Sequence, residues 1–87
     1  MKIKENFALR QVAGTWVVLP LAEETLNFNG MLTLNETGLM LWHLLEQGST
    51  REELATALTN EYDVTLEVAL SDVDAYLERL NQAGCLE

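Results

Sequence analysis

The chain has 87 residues, of which 48% are hydrophobic, and its formal net charge is −9. The apolar fraction excludes a disordered chain, and the length allows one domain and no more. No apolar stretch is long enough to span a bilayer and no signal peptide follows Met1, so we expect a soluble, cytoplasmic protein without a membrane partner.

The amino-terminal part of the chain predicts a β-hairpin. Residues 7–12 alternate loosely between apolar and polar side chains, and residues 15–20 are rich in β-branched residues. Ala13-Gly14 supplies a tight turn between them, since glycine accepts a positive φ. Pro20 cannot donate a hydrogen bond to a ladder, so it ends this pairing or lies on an edge.

A third strand is predicted before the composition changes. Residues 31–34 have strand character and follow the turn signal Asn29-Gly30. The preceding stretch, residues 23–28, fits either a loop or a short extra strand. The chain then becomes rich in Leu, Ala and Glu, which is typical of helices.

Each of three predicted helices begins with a capping residue. Asn35 fits the N-cap of the first helix, which Gly48 ends. Thr50 opens a capping box with Glu53, and Thr65 can cap the last helix. The predicted helices span about residues 36–47, 51–62 and 66–83.

This order of elements predicts one α+β domain over residues 1–87. Three strands followed by three helices favour a three-stranded antiparallel sheet packed on three helices, an arrangement like the winged helix-turn-helix. We find no internal repeat, linker or low-complexity segment that would divide the chain.

The third predicted helix carries two neighbouring stripes. One is apolar, with the spacing of a core face, and the other mixes small, aromatic and charged residues. The mixed stripe fits either a boundary between core and solvent or one wall of a groove, and Tyr76 could face groove or core. The apolar stripe contains Leu66, Leu70, Val73, Leu77 and Leu80, and the mixed stripe contains Ala69, Asp72, Tyr76, Arg79 and Ala83.

The third strand could supply the other wall of such a groove. An edge strand presents N–H and C=O groups without ladder partners, and an extended peptide can add there as another strand. The sequence does not show whether this strand lies at an edge or next to the third helix.

The sequence gives no sign of catalysis. Cys85 is a lone thiol, and His43 has no second histidine or cysteine near it in sequence. We therefore expect no enzyme activity, no metal site and no cofactor. Residues 46–87 carry ten acidic residues against Arg51 and Arg79, which argues against a nucleic-acid partner.

The sequence resembles the PqqD-like family, named for a small protein of pyrroloquinoline quinone biosynthesis. The most specific part is the run Leu34–Gly38 followed by the pair Leu41-Trp42, and the resemblance extends from Phe7 to Leu86. The other matching residues are Leu9, Arg10, Val12, Gly14, Trp16, Val17, Val18, Thr50, Glu53, Leu54, Leu58, Glu61, Tyr62, Asp63, Val64, Asp72, Val73, Tyr76, Leu77, Leu80, Gly84, Cys85 and Leu86.

The resemblance implies a non-catalytic module that recognises the leader segment of a ribosomally made precursor peptide. The leader is expected to add to the third strand, against the third helix, and to be delivered to a modifying enzyme such as a radical S-adenosylmethionine maturase. The Asn35–Gly38 run is expected to shape the entry to the first helix. The implied peptide-binding residues are Met31, Leu32, Thr33, Leu34, Ala69, Asp72, Val73, Tyr76 and Arg79.

Two other functions stay open from the sequence. The chain could be an adaptor that binds only a folded protein, or a winged-helix transcription regulator, although its charge disfavours the second. Because Arg79 is the only base on the third helix, a bound leader would use apolar anchors or carry positive charge. The oligomeric state is also open, since a sheet edge can pair two copies.

Overall fold

The computed structural model describes residues 1–5, 7–21 and 32–87. The predicted α+β order is confirmed, and the sheet is antiparallel with the order β1-β2-β3. Met31 and the segment 22–30, with its turn signal, lie outside the described residues. The elements are β1 (Phe7–Val12), β2 (Thr15–Pro20), β3 (Leu32–Leu34), α1 (Glu36–Gln47), α2 (Arg51–Glu61) and α3 (Leu66–Gln82).

The turn between β1 and β2 fixes which way the backbone groups of the sheet point. Ala13 and Gly14 both have positive φ, 52° and 81°, as a two-residue type I′ turn requires. Such a turn is closed by a hydrogen-bonded pair, here Val12 and Thr15. Since N–H and C=O groups alternate in direction along a strand, Val17 also points toward β1, and its two neighbours point toward β3.

The same alternation gives β3 its orientation. Leu34 lies opposite Trp16 and Leu32 opposite Val18, so these leucines use their backbone groups to pair with β2. Thr33 lies between them, opposite Val17. Its N–H and C=O therefore point away from β2, toward the outer edge of the sheet.

Each helix begins at its predicted cap. The Asn35 side chain accepts a hydrogen bond from the Gly38 N–H at 2.8 Å, and the Thr65 hydroxyl accepts one from Val68 at 3.2 Å. Thr50 and Glu53 form the reciprocal bonds of a capping box. These caps satisfy N–H groups that have no partner within the helix.

The core lies between the sheet and the three helices. α1 contributes Trp42 and Leu45, α2 contributes Leu54, and Val18 comes from the central strand, all with side chains no more than 1% exposed. α3 packs on α2 and adds Val73, which is fully buried. None of the helices in the described residues combines the length and the hydrophobicity that a bilayer-spanning segment needs.

The buried face of α3 differs from the predicted apolar stripe. The residues on its central line are Ala69, Val73, Tyr76 and Leu80, whereas Leu70 and Leu77 are only partly buried. Leu66, predicted to be core, is 54% exposed. It is the first residue of the helix, where the neighbouring described elements leave its side chain open. The buried line of α3 therefore passes through the small residue Ala69 and through Tyr76, and Leu70 and Leu77 lie on its flanks.

The two ends of the described chain lie side by side. Lys4 donates its backbone N–H to the Cys85 carbonyl at 2.8 Å, and Glu87 donates to Lys2 at 3.0 Å, which makes a short antiparallel bridge. The Ile3 N–H donates to the carbonyl of Leu45 near the end of α1 at 3.1 Å. This bridge covers one end of the core and buries Cys85.

Candidate functional site

A groove of about 480 Å³ lies between the outer edge of β3 and α3. Thr33 stands at the strand side and Arg79 at the helix side, so the two elements that the sequence left unconnected do share one surface. The groove continues past the end of β3 over the amino-terminal turn of α1 and reaches α2. Its lining consists of Thr33, Leu34, Asn35, Thr37, Gly38, Leu41, Leu58, Asp72, Ala75, Tyr76 and Arg79.

Tyr76 belongs to both the core and the groove. Its side chain is 9% exposed, and its hydroxyl donates a hydrogen bond to the Gly38 carbonyl at 2.7 Å. A Cβ atom on Gly38 would lie 3.4 Å from the Tyr76 ring, at van der Waals contact, so the ring lies directly against the first turn of α1. Burial also raises the pKa of the Tyr76 hydroxyl. The Tyr76 ring is thus held in place by burial and a hydrogen bond, and it forms the floor of the groove.

The two charged residues of the groove, Asp72 and Arg79, lie on one stripe of α3 together with Ala75. Asp72, Ala75 and Arg79 recur at intervals of three and four, on the flank beside the buried line. The Arg79 guanidinium donates to the Thr33 carbonyl at 3.5 Å. This bond confirms that the Thr33 carbonyl faces α3, the direction that the hairpin alternation gives.

Among the predicted binding residues, some line the groove and others lie beneath it. Thr33, Asp72 and Arg79 are exposed on its walls. Ala69 and Val73 are fully buried, so their side chains support the groove from within the core. The remaining strand residues are Leu32, partly buried; Leu34, 5% exposed on the groove lining; and Met31, which lies outside the described residues.

Several lining residues were not predicted as part of the site. The Asn35–Gly38 run shapes the entry to α1 as expected, through its N-cap bond, yet it also forms one end of the groove. Ala75 could have been found in the sequence, since it lies three positions after Asp72 on a helix. Leu41 and Leu58 come from other helices, and the sequence contains no signal that brings them together here.

Outside the groove, an arginine–aspartate pair, the histidine and the cysteine have distinct local surroundings. The Arg51 guanidinium hydrogen-bonded to Asp74, with Nη2 and Oδ2 2.8 Å apart, holds the pKa of that carboxyl below its ordinary value. His43 is exposed and its Nδ1 lies 2.9 Å from Glu46. Burial raises the pKa of the Cys85 thiol to about 11. Over residues 1–5, 7–21 and 32–87, no group of three or more potential ligands could hold a metal ion.

Comparison with solved structures places this fold beside two others. The chain is 28% identical to TbiB1, solved in complex with the TbiA(beta) leader peptide, with a TM-score of 0.79 and coverage of 100% of this chain and 95% of that one. It is 23% identical to a lasso peptide synthetase B1, complexed with the leader peptide, with a TM-score of 0.76 and coverage of 97% and 93%; at this identity the likeness shows a shared fold.

Sequence comparison identifies the family. Among curated protein sequences, none matches the chain significantly. The sequence model of the family described as coenzyme PQQ synthesis protein D (PqqD) matches residues 15–86. Since that match spans well over half of the 87 residues, the chain belongs to the PqqD family.

Proposed function

We propose that this chain binds the leader segment of a ribosomally made precursor peptide as an added strand on β3. The observation that carries the proposal is the direction of the Thr33 backbone, whose N–H and C=O point into a groove walled by α3. A guest strand opposite Thr33 can exchange two hydrogen bonds with it, as strands of a sheet do. Family membership and the leader-peptide complex of the 28% identical TbiB1 support leader binding as the function.

The groove suggests how such a peptide is held. Backbone pairing through Thr33 fixes the register, while side chains on one face of the guest meet the Tyr76 ring and the Leu34 side chain. Past the end of β3, the guest continues over the start of α1, between Asn35 and Asp72. The proposed contact residues are Leu32, Thr33, Leu34, Asp72, Ala75, Tyr76 and Arg79, with Ala69 and Val73 supporting them from the core. Met31 stays a predicted binding residue, outside the described residues.

We infer that residues 1–87 act as one non-catalytic recognition domain. Its thiol is buried with a raised pKa, and its histidine is exposed and engaged with Glu46, so neither is placed as a nucleophile or base. The modification then belongs to a partner enzyme, for which we propose a radical S-adenosylmethionine maturase. Binding the leader raises the effective concentration of the rest of the precursor at that enzyme. We place this step in the cytoplasm, where the precursor is made.

A DNA-binding role is not favoured. Residues 46–87 carry ten acidic residues and two arginines, and Arg51 is already hydrogen-bonded to Asp74. A duplex-binding surface needs several phosphate contacts from basic groups, which α2 and α3 do not supply.

The proposal is tested by titrating the purified protein with the leader of the precursor encoded beside its gene. Isothermal titration calorimetry is expected to give one-to-one binding in the micromolar range or tighter. The peptide with its residues in scrambled order serves as the control. Equal heats for the leader and the scrambled peptide, with and without the neighbouring modifying enzyme, would contradict the proposal.

A further inference from the structure

Arg79 occupies the backbone acceptor that a guest strand needs. In the structure its guanidinium donates to the Thr33 carbonyl at 3.5 Å. A guest strand that pairs with Thr33 must place its own N–H on that same oxygen. The arginine therefore has to leave the carbonyl, or share it, when a strand is added.

The bond that Arg79 would give up is weak. Its length is at the upper limit for a hydrogen bond, and both groups are exposed to solvent. A backbone N–H from an added strand would approach the carbonyl at about 2.9 Å, with better alignment. The exchange at the carbonyl thus favours the guest, and it leaves a charged guanidinium at the mouth of the groove.

That guanidinium has no acidic partner among the residues that the structure describes. The other arginine of residues 46–87, Arg51, lies against Asp74, whereas no carboxylate among the described residues forms an ion pair with Arg79. Asp72 is on the same stripe but seven positions away, about 10 Å along the helix axis. Arg79 is thus the one base of residues 46–87 without an ion pair in the described structure, and it lines the groove.

We propose that Arg79 is a displaceable cap on the Thr33 carbonyl, and that it selects guest strands carrying a carboxylate next to the N–H that displaces it. This inference rests on the proposed function and adds a chemical preference to it. A guanidinium binds a carboxylate through two parallel N–H···O bonds, so the displaced side chain finds a stronger partner on the guest than it had on β3. The apolar floor of the groove favours apolar side chains on the guest peptide. Arg79 adds a preference for one acidic side chain on the guest, although the net charge of the domain is negative.

The test is a double-mutant cycle between the protein and the peptide. The protein variant is Arg79→Gln, which keeps much of the side-chain length and an N–H donor but removes the charge. The peptide probes are the leader of the neighbouring precursor and versions in which each acidic residue is replaced singly by its amide. One replacement is expected to weaken binding to the unaltered protein by about three- to tenfold and to change binding to Arg79→Gln by less than about twofold.

Arg10→Gln is the matched control. Arg10 lies on β1, away from the groove, and the bond it makes among the described residues is to the neighbouring Leu9 carbonyl at 3.2 Å. Its replacement changes the net charge by the same amount as Arg79→Gln. Because Arg10 is not part of the groove, each acidic-to-amide replacement in the peptide should weaken binding to Arg10→Gln as much as it weakens binding to the unaltered protein. Equal sensitivity in Arg10→Gln and Arg79→Gln would show general charge attraction and overturn the inference.

Failure of this inference differs from failure of the proposed function. If the leader binds but no acidic residue matters, or each matters equally with and without Arg79, the cap selects nothing and the inference is wrong while strand addition stands. Tight binding of a leader that contains no acidic residue would likewise show that the inference about Arg79 is wrong while strand addition stands. If the unaltered protein does not bind the leader, the proposed function fails first, and the inference fails with it.

Discussion

Replacing Thr33 by proline should prevent strand addition without unfolding the domain. The Thr33 N–H points away from β2, so it is not used inside the sheet, and its side chain is exposed. Proline removes that N–H and places a ring carbon where the guest carbonyl would approach. Leu32, the residue before it, is already in extended conformation, which proline favours in its predecessor.

The expected loss follows from the bonds that Thr33 can make. Removing one hydrogen bond at the edge weakens binding by about 0.5–1.5 kcal/mol, and leaving the guest carbonyl buried without a donor adds about 1–3 kcal/mol. A total of about 1.5–4.5 kcal/mol corresponds to a dissociation constant that rises by roughly 13- to 2000-fold. Thr33→Val is the matched control, because it keeps the N–H and the β-branched shape, and its affinity should stay within about twofold of the unaltered protein.

Isothermal titration calorimetry with the neighbouring leader peptide measures both affinities, and circular dichroism thermal scans establish that both variants are folded. The reasoning would be refuted by a folded Thr33→Pro variant that binds as tightly as the unaltered protein. A Thr33→Val variant that loses as much affinity as the proline variant would also refute it, since the loss could then not be assigned to the N–H.

Three further predictions concern the groove floor, the buried thiol and the hairpin. Tyr76→Phe removes the bond to the Gly38 carbonyl and should lower the free energy of unfolding by about 1 kcal/mol in urea titrations, whereas Tyr76→Ala should lower it by about 3–5 kcal/mol; equal losses would mean that the ring is not packed. Burial raises the pKa of Cys85 from its ordinary 9 to about 11, so the unfolded thiol ionises between about pH 9 and 11 whereas the folded one does not, and the free energy of unfolding should fall over that range. At pH 8, a thiol-reactive disulfide should label the folded protein at least about 100-fold more slowly than the protein unfolded in urea. Ala13→Asn should raise the free energy of unfolding by about 1 kcal/mol, because Ala13 has a φ of 52° that asparagine accepts more readily; an unchanged urea midpoint would argue against this turn.

The local signals in the sequence predicted the elements well because each acts within a few residues. Asn35, Thr50 and Thr65 cap the helices at the predicted positions, and the turn at Ala13-Gly14 joins the predicted strands. Hydrophobic periodicity was less reliable for predicting which side of α3 is buried, because two adjacent lines of the helix both contain apolar residues at intervals of three or four. The true core line includes Ala69 and Tyr76, and the groove stripe passes through Ala75 instead.

The tertiary contacts that build the groove could not be derived from the sequence. The Tyr76 hydroxyl bond to Gly38 joins residues 38 positions apart, and the Arg79 bond to Thr33 joins residues 46 positions apart. The pairing of Lys4 with Cys85 joins residues that lie still further apart in sequence. No periodic pattern encodes such distances, so the family resemblance, rather than the residue pattern, predicted that β3 and α3 meet.

Amide hydrogen exchange, followed residue by residue by NMR with and without the leader peptide, tests the site most directly. Strand addition at β3 predicts that the Thr33 amide, which points away from β2 at the edge of the described sheet, becomes strongly protected when the peptide binds. The outward-facing amides of Leu9 and Gln11 on the other edge of the sheet, in β1, should keep their exchange rates. Protection at Leu9 and Gln11, with Thr33 unchanged under saturating peptide, would contradict the site proposed here.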